Sequence, residues 1–316
     1  MIIPTYNREK TIAHAIQSAL DQSYRNLEVI VVDDGSTDRT AEVLKRFGER
    51  IRVIGQANAG PSAARNRGVE SALGSIIAFL DSDDAWFPNK LARQVALLER
   101  LGPRVSCCLC NIQFAQGPAA RNTSFAVADL HPPIEEGVWR NPTEVLITRF
   151  VLFNQALAAR KDALLEAGLF RRDLRLLEDY DLALRLSMLG PWAFIQTPLV
   201  SYGTGESNSL TSSCVSDKTV LPRIALRILE LLLASGKLSE GRLRGVLRRQ
   251  ITYSSLRLTA AEWVNGRSES GRVLGRTLDC CLSLFASIQR RTPLLRRMDV
   301  VSTDEFLLKG EQLGGG

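Results

Sequence analysis

Histidine is scarce in this chain, with only His14 and His131 among 316 residues. Six cysteines are present, but none shows the paired spacing of a zinc site. Three of them, Cys107, Cys108 and Cys110, lie in one apolar segment that is typical of a strand. We therefore expect small buried thiols in a reducing compartment rather than metal ligands or disulfides.

Long hydrophobic runs are also missing. No apolar run approaches the roughly 20 residues that a membrane-spanning helix needs. Met1 leads directly into Ile2-Ile3-Pro4, without the basic region and cleavage site of a signal peptide. A cytoplasmic location is expected on this basis. The composition, 45% hydrophobic and 23% charged, is typical of a globular protein.

The positive charge lies in the C-terminal third. Residues 215–316 contain 17 Lys+Arg and 10 Asp+Glu, whereas residues 1–214 contain 23 and 24. This distribution argues against nucleic acid as the partner of the whole protein. Together with a Gly-, Ser- and Thr-rich stretch at 203–216, it predicts two domains: a main domain over 1–214 and a basic helical extension over 215–316.

Strand and helix patterns alternate through the first hundred residues. Apolar runs at 27–32, 51–54 and 76–80 read as buried strands, and they alternate with amphipathic helices. Residues 115–142 read as an irregular loop region. The alternation predicts an α/β fold in which parallel strands place their strand-to-helix loops on one edge.

Carboxylates gather where one of these strands ends. Asp81, Ser82, Asp83 and Asp84 follow the apolar run 75–80 directly. Ligands bind at the carboxyl ends of the strands in open α/β sheets, and clustered acids favour a hard cation such as Mg²⁺ or Mn²⁺. The alternative is an acidic surface turn, because Asp and Ser are common turn residues.

Three further segments carry residues suited to a ligand. Tyr6 can stack on a planar base, and a carboxylate at Asp33 or Asp34 can accept a hydrogen bond from a base N–H. Arg65 can offset phosphate charge. Each has a structural alternative: a turn, a capped strand-to-helix loop and a solvated helix residue, respectively.

Taken together, four segments closely resemble the family 2 glycosyltransferases in order and spacing. They are IPTYN at 3–7, VVDDGSTD at 31–38, GPSAARNRG at 60–68 and FLDSDD at 79–84. The resemblance covers residues 1 to about 205. It implies the Rossmann-like GT-A fold, a mixed, mostly parallel sheet flanked by helices, here with a C-terminal helical extension. It also implies inverting, metal-dependent transfer from a nucleotide-diphospho-sugar, most simply a UDP-sugar.

The resemblance also implies roles for individual residues. The nucleoside pocket would be lined by Pro4, Thr5, Tyr6 and Glu9, with Asp34 or Asp33 on the base and Arg65 near the base and phosphates. Asp81 and Asp83 would form the Asp-x-Asp motif, with Ser82 beside the nucleotide. Asp83 or Asp84 would touch the ribose and the metal, Mg²⁺ or Mn²⁺, which would bridge the diphosphate.

A candidate base follows much later in the chain. Glu178 and Asp179 precede an amphipathic helix and resemble the family's Glu-Asp motif, in which Asp179 would activate the acceptor hydroxyl. A base opposite the leaving group implies inversion at the anomeric carbon. The alternative is that both acids only favour the N-terminal end of the helix dipole.

One departure concerns the late strand 199–202. Many family members continue with Tyr-Arg-x-His, but this chain has Tyr202-Gly203-Thr204-Gly205-Glu206. Metal binding is then expected to rest on the Asp cluster or to recruit Glu206. The departure also motivates the main rival function, a catalytically silent nucleotide-sugar-binding homologue.

Two other classes fit less well. A phosphoryl-transfer or receiver domain would need further Asp and Lys residues at later strand ends. A nucleotidyltransferase would need a Gly-rich phosphate loop after the first strand, where 5–8 reads Thr-Tyr-Asn-Arg.

The basic tail pairs Leu and Ile with Arg over 217–250 and 272–297. Two interpretations stand: a helical cap with a solvated Arg face, or peripheral contact with an anionic membrane on its inner face. The second would suit a lipid-linked or glycan acceptor in cell-envelope polysaccharide synthesis.

Overall fold

The structure is a computed structural model that describes residues 1–115, 122–149, 154–203, 219–238, 241–265 and 299–311. The strands are β1 Ile2–Thr5, β2 Ile30–Asp33, β3 Arg52–Gly55, β4 Ile76–Ala78, β5 Ala85–Trp86, β6 Cys107–Phe114, β7 Glu136–Trp139, β8 Leu157–Arg160, β9 Trp192–Tyr202 and β10 Val300–Val301. The helices are α1 Ile12–Leu20, α2 Thr40–Lys45, α3 Pro61–Ser71, α4 Lys90–Leu101, α5 Ser124–Val127, α6 Pro142–Thr148, α7 Lys161–Glu166, α8 Glu178–Ser187, α9 Val220–Ala234, α10 Arg242–Asn265 and α11 Thr303–Glu311. Short 3₁₀ turns occupy Gly48–Arg50 and Asn154–Ala156.

The first three strands form a parallel sheet. Ile2 lies opposite Ile30 and Thr5 opposite Asp33, while Ile30 lies opposite Arg52. A parallel bridge from Ile2 to Phe79 extends the pairing to the residue just after β4. Because all of these strands run the same way, their carboxyl ends share one edge, as the alternating pattern predicts.

A second sheet continues the architecture with mixed strand directions. Its order is β10-β7-β9-β6-β8-β4, with β5 paired to β9. β6 and β9 pair parallel, whereas β4 and β6 pair antiparallel with β8. Helices cover the sheets, α3 against β1 and β2 and α4 against β6. The predicted α/β fold class is confirmed.

Helix α3 lies unusually close to β1. A Cβ atom added to Gly68 would come within 2.5 Å of Cγ2 of buried Ile2. The helix begins after Gly60, whose φ of +89° suits glycine, and Pro61 occupies its first turn. This packing sets the position of Arg65 at the edge where the strands end.

The region 115–142 is more ordered than predicted. Where it is described, it contains α5 and β7, and β7 pairs antiparallel with β9 from Glu136↔Ile195 to Trp139↔Trp192. The prediction of an irregular loop was wrong there, because the pairing and the burial of Val138 and Trp139 come from distant residues that local sequence does not reveal. β9 is likewise longer than the predicted 199–202.

The chain divides into two compact units. One consists of residues 1–142, 149–206 and 299–316, and the other of 143–148 and 207–298. Within the second unit, α9 packs against α10. No helix in the described part of the chain is long and apolar enough to cross a membrane. The predicted division at residue 214 and the membrane contact stay predictions, and residues 272–297 lie outside the described residues.

Candidate functional site

The ends of the parallel strands are joined directly to one another. The amide of Asp34 donates to the carbonyl of Thr5 at 2.9 Å, and the amide of Gln56 donates to the carbonyl of Asp33 at 3.0 Å. The predicted segments after β1 and β2 therefore lie side by side. Sequence reasoning placed both at this edge, and the structure brings them together there.

Asn7 connects the first two loops. It adopts a positive φ of 51°, which Asn tolerates better than most residues. Its Oδ1 accepts from the amide of Thr37 at 2.8 Å, and its own amide donates to Ser36 Oγ at 2.9 Å. These bonds fix the backbone of the predicted nucleoside pocket.

The two acids at the end of β2 have different surroundings. Buried Asp34 accepts three hydrogen bonds, from Gln56 Nε2 at 2.7 Å, Ala59 N at 2.9 Å and Gly60 N at 2.8 Å. Half-buried Asp33 accepts from the amide of Ser36 at 3.0 Å. Asp34 therefore holds the loop that leads into α3, which leaves Asp33 better placed than Asp34 to meet a base.

The remaining pocket residues fall into two groups. Pro4 and Thr5 are buried, and Thr5 Oγ1 has no hydrogen-bond partner among the described residues, whereas Tyr6 is 43% exposed. An exposed ring at this edge is available for stacking. Glu9 instead pairs with Arg39, whose Nε lies 3.2 Å from Glu9 Oε2, and this bond lowers the pKa of Glu9.

Arg65 joins the acidic turn to Glu178, the neighbour of the candidate base Asp179. Its Nη2 lies 2.8 Å from Asp81 Oδ1, and its Nη1 lies 2.7 Å from Glu178 Oε1. The side chain is buried, and both carboxylates raise its pKa, so it remains a cation. One guanidinium thus connects the turn after β4 to the start of α8, whose Glu178 lies 113 residues after Arg65 in the chain.

The acids of the turn after β4 face in different directions. Asp81 and Asp83 have side chains 29% and 26% exposed, and Asp83 Oδ2 lies 3.9 Å from Arg8 Nη2. Ser82 and Asp84 are buried. Asp84 accepts from the amide of Gly203 at 2.8 Å, so it reaches inward to the end of β9.

The pKa shifts of this turn indicate that nearby cations do not fully offset its negative charge. Burial and the neighbouring Asp81 raise the pKa of Asp83 and hold that of Asp84 well above its ordinary value. Burial and the same acids raise the pKa of Tyr202 to about 12, so its hydroxyl keeps its proton at neutral pH. A cation placed at this edge would be stabilised.

Glu178 and Asp179 form the first turn of α8. Leu177 precedes them with a φ of +59°, an unusual conformation for a large side chain. Burial, and next the charge of Glu178, raise the pKa of Asp179 to about 7. A carboxylate that titrates near neutral pH suits a general base.

In the part of the chain that the structure describes, side chains alone do not complete a metal site. The described residues contain no group of three His, Cys, Asp or Glu side chains that could hold a metal ion. Asp81 and Asp83 nevertheless present hard oxygen ligands at a partly exposed, acidic turn. Mg²⁺ is commonly bound through one or two carboxylates plus substrate phosphates, and the donor set fits that pattern.

Sequence reasoning missed Gln155 as a partner of the acidic turn. Its Nε2 donates to Asp84 Oδ2 at 2.6 Å. Sequence reasoning also did not predict the contact between Gly203 and the turn. No local motif surrounds Gln155, and its proximity depends on the pairing of β4 with β8, so the sequence carried no usable signal. Glu206 and Gly205 lie outside the described residues.

Residues 1–160 match the family described as Glycosyl transferase family 2. An uncharacterized glycosyltransferase of Rickettsia felis is 44% identical over 101 residues, which are 31% of this chain and 17% of that protein. Glycosyltransferase GlyA of Streptococcus pneumoniae is 46% identical over 87 residues, 27% of this chain and 12% of its own length. The chain thus spans less than a fifth of either relative.

Solved structures share the fold. TarS 1-349 of S. aureus in complex with UDP has a TM-score of 0.62 at 18% identity, over 85% of this chain and 75% of TarS 1-349. The mannosyltransferase PcManGT of Pyrobaculum calidifontis, in complex with GDP-Man and Mn²⁺, has a TM-score of 0.55 at 19% identity, over 92% and 85%. The architecture is that of the GT-A fold.

Proposed function

Because the chain belongs to glycosyl transferase family 2, we propose that it transfers a sugar from a nucleotide-diphospho-sugar to an acceptor hydroxyl, with inversion at the anomeric carbon. The donor we propose is a UDP-sugar, and the acceptor a glycan or a lipid-linked glycan. Support for a uridine donor comes from the shared fold of TarS, which is described in complex with UDP and with UDP-GlcNAc.

One observation carries the proposal. Arg65 contacts Asp81 at 2.8 Å and Glu178 at 2.7 Å, so one buried cation joins the acidic turn to the residue that directly precedes the candidate base Asp179. Transfer needs a group that activates the acceptor next to a group that handles the departing diphosphate. A purely structural ion pair gives no reason for these two motifs to meet at the shared edge of the strands.

The nucleoside would lie against the ends of β1 and β2. Tyr6 would stack on the base, and Asp33 would accept a hydrogen bond from a base N–H, while Pro4 and Thr5 form the floor. Asp34 would act indirectly by holding the loop 56–60. Glu9, which is paired with Arg39, would stabilise the rim of the pocket.

Asp83, together with Asp81 and Asp84 of the same turn, would hold a divalent cation, Mg²⁺ or Mn²⁺. When bound, such an ion would offset the negative charge that develops on the leaving nucleoside diphosphate. Both oxygens of Asp84 already accept hydrogen bonds, which favours Asp83 for the direct contact. Ser82, which lies between Asp81 and Asp83 in the sequence, is buried and would shape the turn.

Asp179 would accept the proton of the acceptor hydroxyl. Its pKa of about 7 leaves a substantial ionised fraction at neutral pH and makes it a stronger base than an ordinary carboxylate. Glu178, bonded to Arg65, would orient the first turn of α8. A base on the face opposite the leaving group produces inversion.

The test measures release of nucleoside diphosphate from UDP-, GDP- and dTDP-sugars. We expect Asp179→Asn to reduce turnover by at least about 10²-fold, the lower range of what a general base contributes. Asp83→Ala should also reduce turnover, because the divalent cation would lose its direct ligand. Asp173→Asn is the control, because the Asp173 side chain is 64% exposed and pairs with the nearby Arg171.

Each outcome decides a separate part of the proposal. Turnover near that of the wild type in Asp179→Asn would exclude Asp179 as the base. Tight binding of a UDP-sugar without turnover in the wild type would instead favour the silent nucleotide-sugar-binding homologue. Binding of none of the donors would overturn the proposal as a whole.

A further inference from the structure

Gln155 lies directly behind the acidic turn and is 1% exposed. It belongs to the 3₁₀ turn Asn154–Ala156, which precedes β8. Two side chains hold the backbone of this turn. Trp86 Nε1 donates to the carbonyl of Gln155 at 3.1 Å, and Gln94 Nε2 donates to the carbonyl of Ala156 at 2.9 Å. The position of Gln155 is therefore fixed by residues of β5 and α4.

Lys90 in turn fixes Gln94. Its Nζ donates to Gln94 Oε1 at 2.7 Å and lies 4.0 Å from the centre of the Trp86 ring. Because an ammonium group only donates, Gln94 must direct its carbonyl oxygen to Lys90 and its NH₂ group to the backbone. Lys90 and Gln94 are fully buried. A buried polar network of this kind is costly unless its members are satisfied, so its geometry is well defined.

The side chain of Gln155, held in this way, binds Asp84. Gln155 Nε2 donates to Asp84 Oδ2 at 2.6 Å, and the amide of Gly203 donates to Asp84 Oδ1 at 2.8 Å. The carboxylate is 3% exposed and is held on both sides. The Asp84 side chain thus connects the turn after β4 to the end of β9.

We propose that Gln155 is a positioning residue, which sets the orientation of Asp84 and through it both the Asp81–Asp84 turn and the amide of Gly203. Its effect on donor binding rests on the proposed function. Its effect on Gly203 does not. Glutamine suits this position because its amide donates to a buried carboxylate without adding a charge, whereas Glu would place a second carboxylate beside Asp84.

The test compares Gln155→Leu and Gln155→Glu with the wild type. Gln196→Leu is the matched control. Like Gln155, Gln196 donates through its Nε2, but its acceptors are the backbone carbonyls of Pro132 and Ile134 and not the acidic turn. Circular dichroism and thermal unfolding first identify the variants that fold.

The first readout is amide hydrogen exchange at Gly203. We expect exchange about tenfold faster in Gln155→Leu than in the wild type or in Gln196→Leu, the ratio that corresponds to loss of one hydrogen bond to a charged group. Gln155→Glu, which keeps the shape but loses the donor, should show the same direction. Unchanged exchange at Gly203 in both Gln155 variants would overturn the proposal.

The second readout is the dissociation constant of UDP in the presence of Mn²⁺, by calorimetry. We expect it to rise about tenfold in the Gln155 variants and to stay unchanged in Gln196→Leu. Faster exchange with unchanged UDP binding would refute the role in donor binding. Absence of UDP binding in the wild type would count against the proposed function, while the exchange measurement would still decide the role of Gln155.

Discussion

Replacing Asp179 by Asn tests whether its carboxylate is destabilised when ionised. Burial and Glu178 raise its pKa from 3.8 to about 7. Between these values the folded chain holds a proton that the unfolded chain releases, so the stability that Asp179 contributes falls as the pH rises through this window. Asn does not titrate, and the variant should lose this pH dependence.

The size of the effect follows from the shift. About three pKa units correspond to about 4 kcal/mol at 1.36 kcal/mol per unit. Because Asp179 is only half-buried, solvent screening reduces this to about 2 kcal/mol. We therefore expect the free energy of unfolding of Asp179→Asn, relative to the wild type, to increase by about 2 kcal/mol from pH 4.5 to pH 8.

Urea unfolding at the two pH values measures this difference. Asp162→Asn, which changes an exposed acid at the start of α7, is the control and should show no such trend. Parallel stability profiles for Asp179→Asn and the wild type would refute the reasoning. In the proposed reaction, the same group predicts that kcat/KM of the wild type falls below an apparent pKa near 7.

Four further substitutions test the local architecture. Arg65→Lys should lower the free energy of unfolding by about 1–3 kcal/mol, because an ammonium group does not reproduce the fork that spans Asp81 and Glu178; equal urea midpoints would contradict this. Asp34→Ala should lower the free energy of unfolding by about 2–4 kcal/mol, because three donors of the loop 56–60 lose their acceptor. Asp33→Ala, measured by the same urea titration, should lower the free energy of unfolding by less than Asp34→Ala does. A larger loss in Asp33→Ala would contradict the roles given to these two acids. Gly68→Ala should cost about 1–3 kcal/mol by pushing against Ile2, as thermal unfolding would show, and an unchanged midpoint would contradict the close packing of α3 on β1.

The sequence predicted the part of the site that is local. The segments after β1, β2 and β4 could be placed at one edge because buried parallel strands fix where their ends lie. The difference between Asp33 and Asp34 could not be predicted, since it depends on the path of the loop 56–60. Gln155 was missed because its contact with Asp84 requires the antiparallel pairing of β4 with β8, which no local pattern encodes.

Helix and strand boundaries also divide into those that local sequence indicates and those that depend on distant residues. α4, predicted at 89–101, is observed at Lys90–Leu101, because an amphipathic pattern and a terminal glycine mark it locally. β7 was missed because its stability comes from pairing with β9 and β10. The acids after β4 were recognised from their position, but only the folded chain shows that Arg65 connects them to Glu178.

Calorimetric titration of UDP, with and without Mn²⁺, tests the central claim most directly when the wild type is compared with Asp83→Ala. We expect Mn²⁺ to strengthen UDP binding in the wild type and to lose this effect in the variant. UDP binding that is absent from the wild type, or that responds equally to Mn²⁺ in both proteins, would contradict the assignment of the turn after β4 as the site of the diphosphate and its metal.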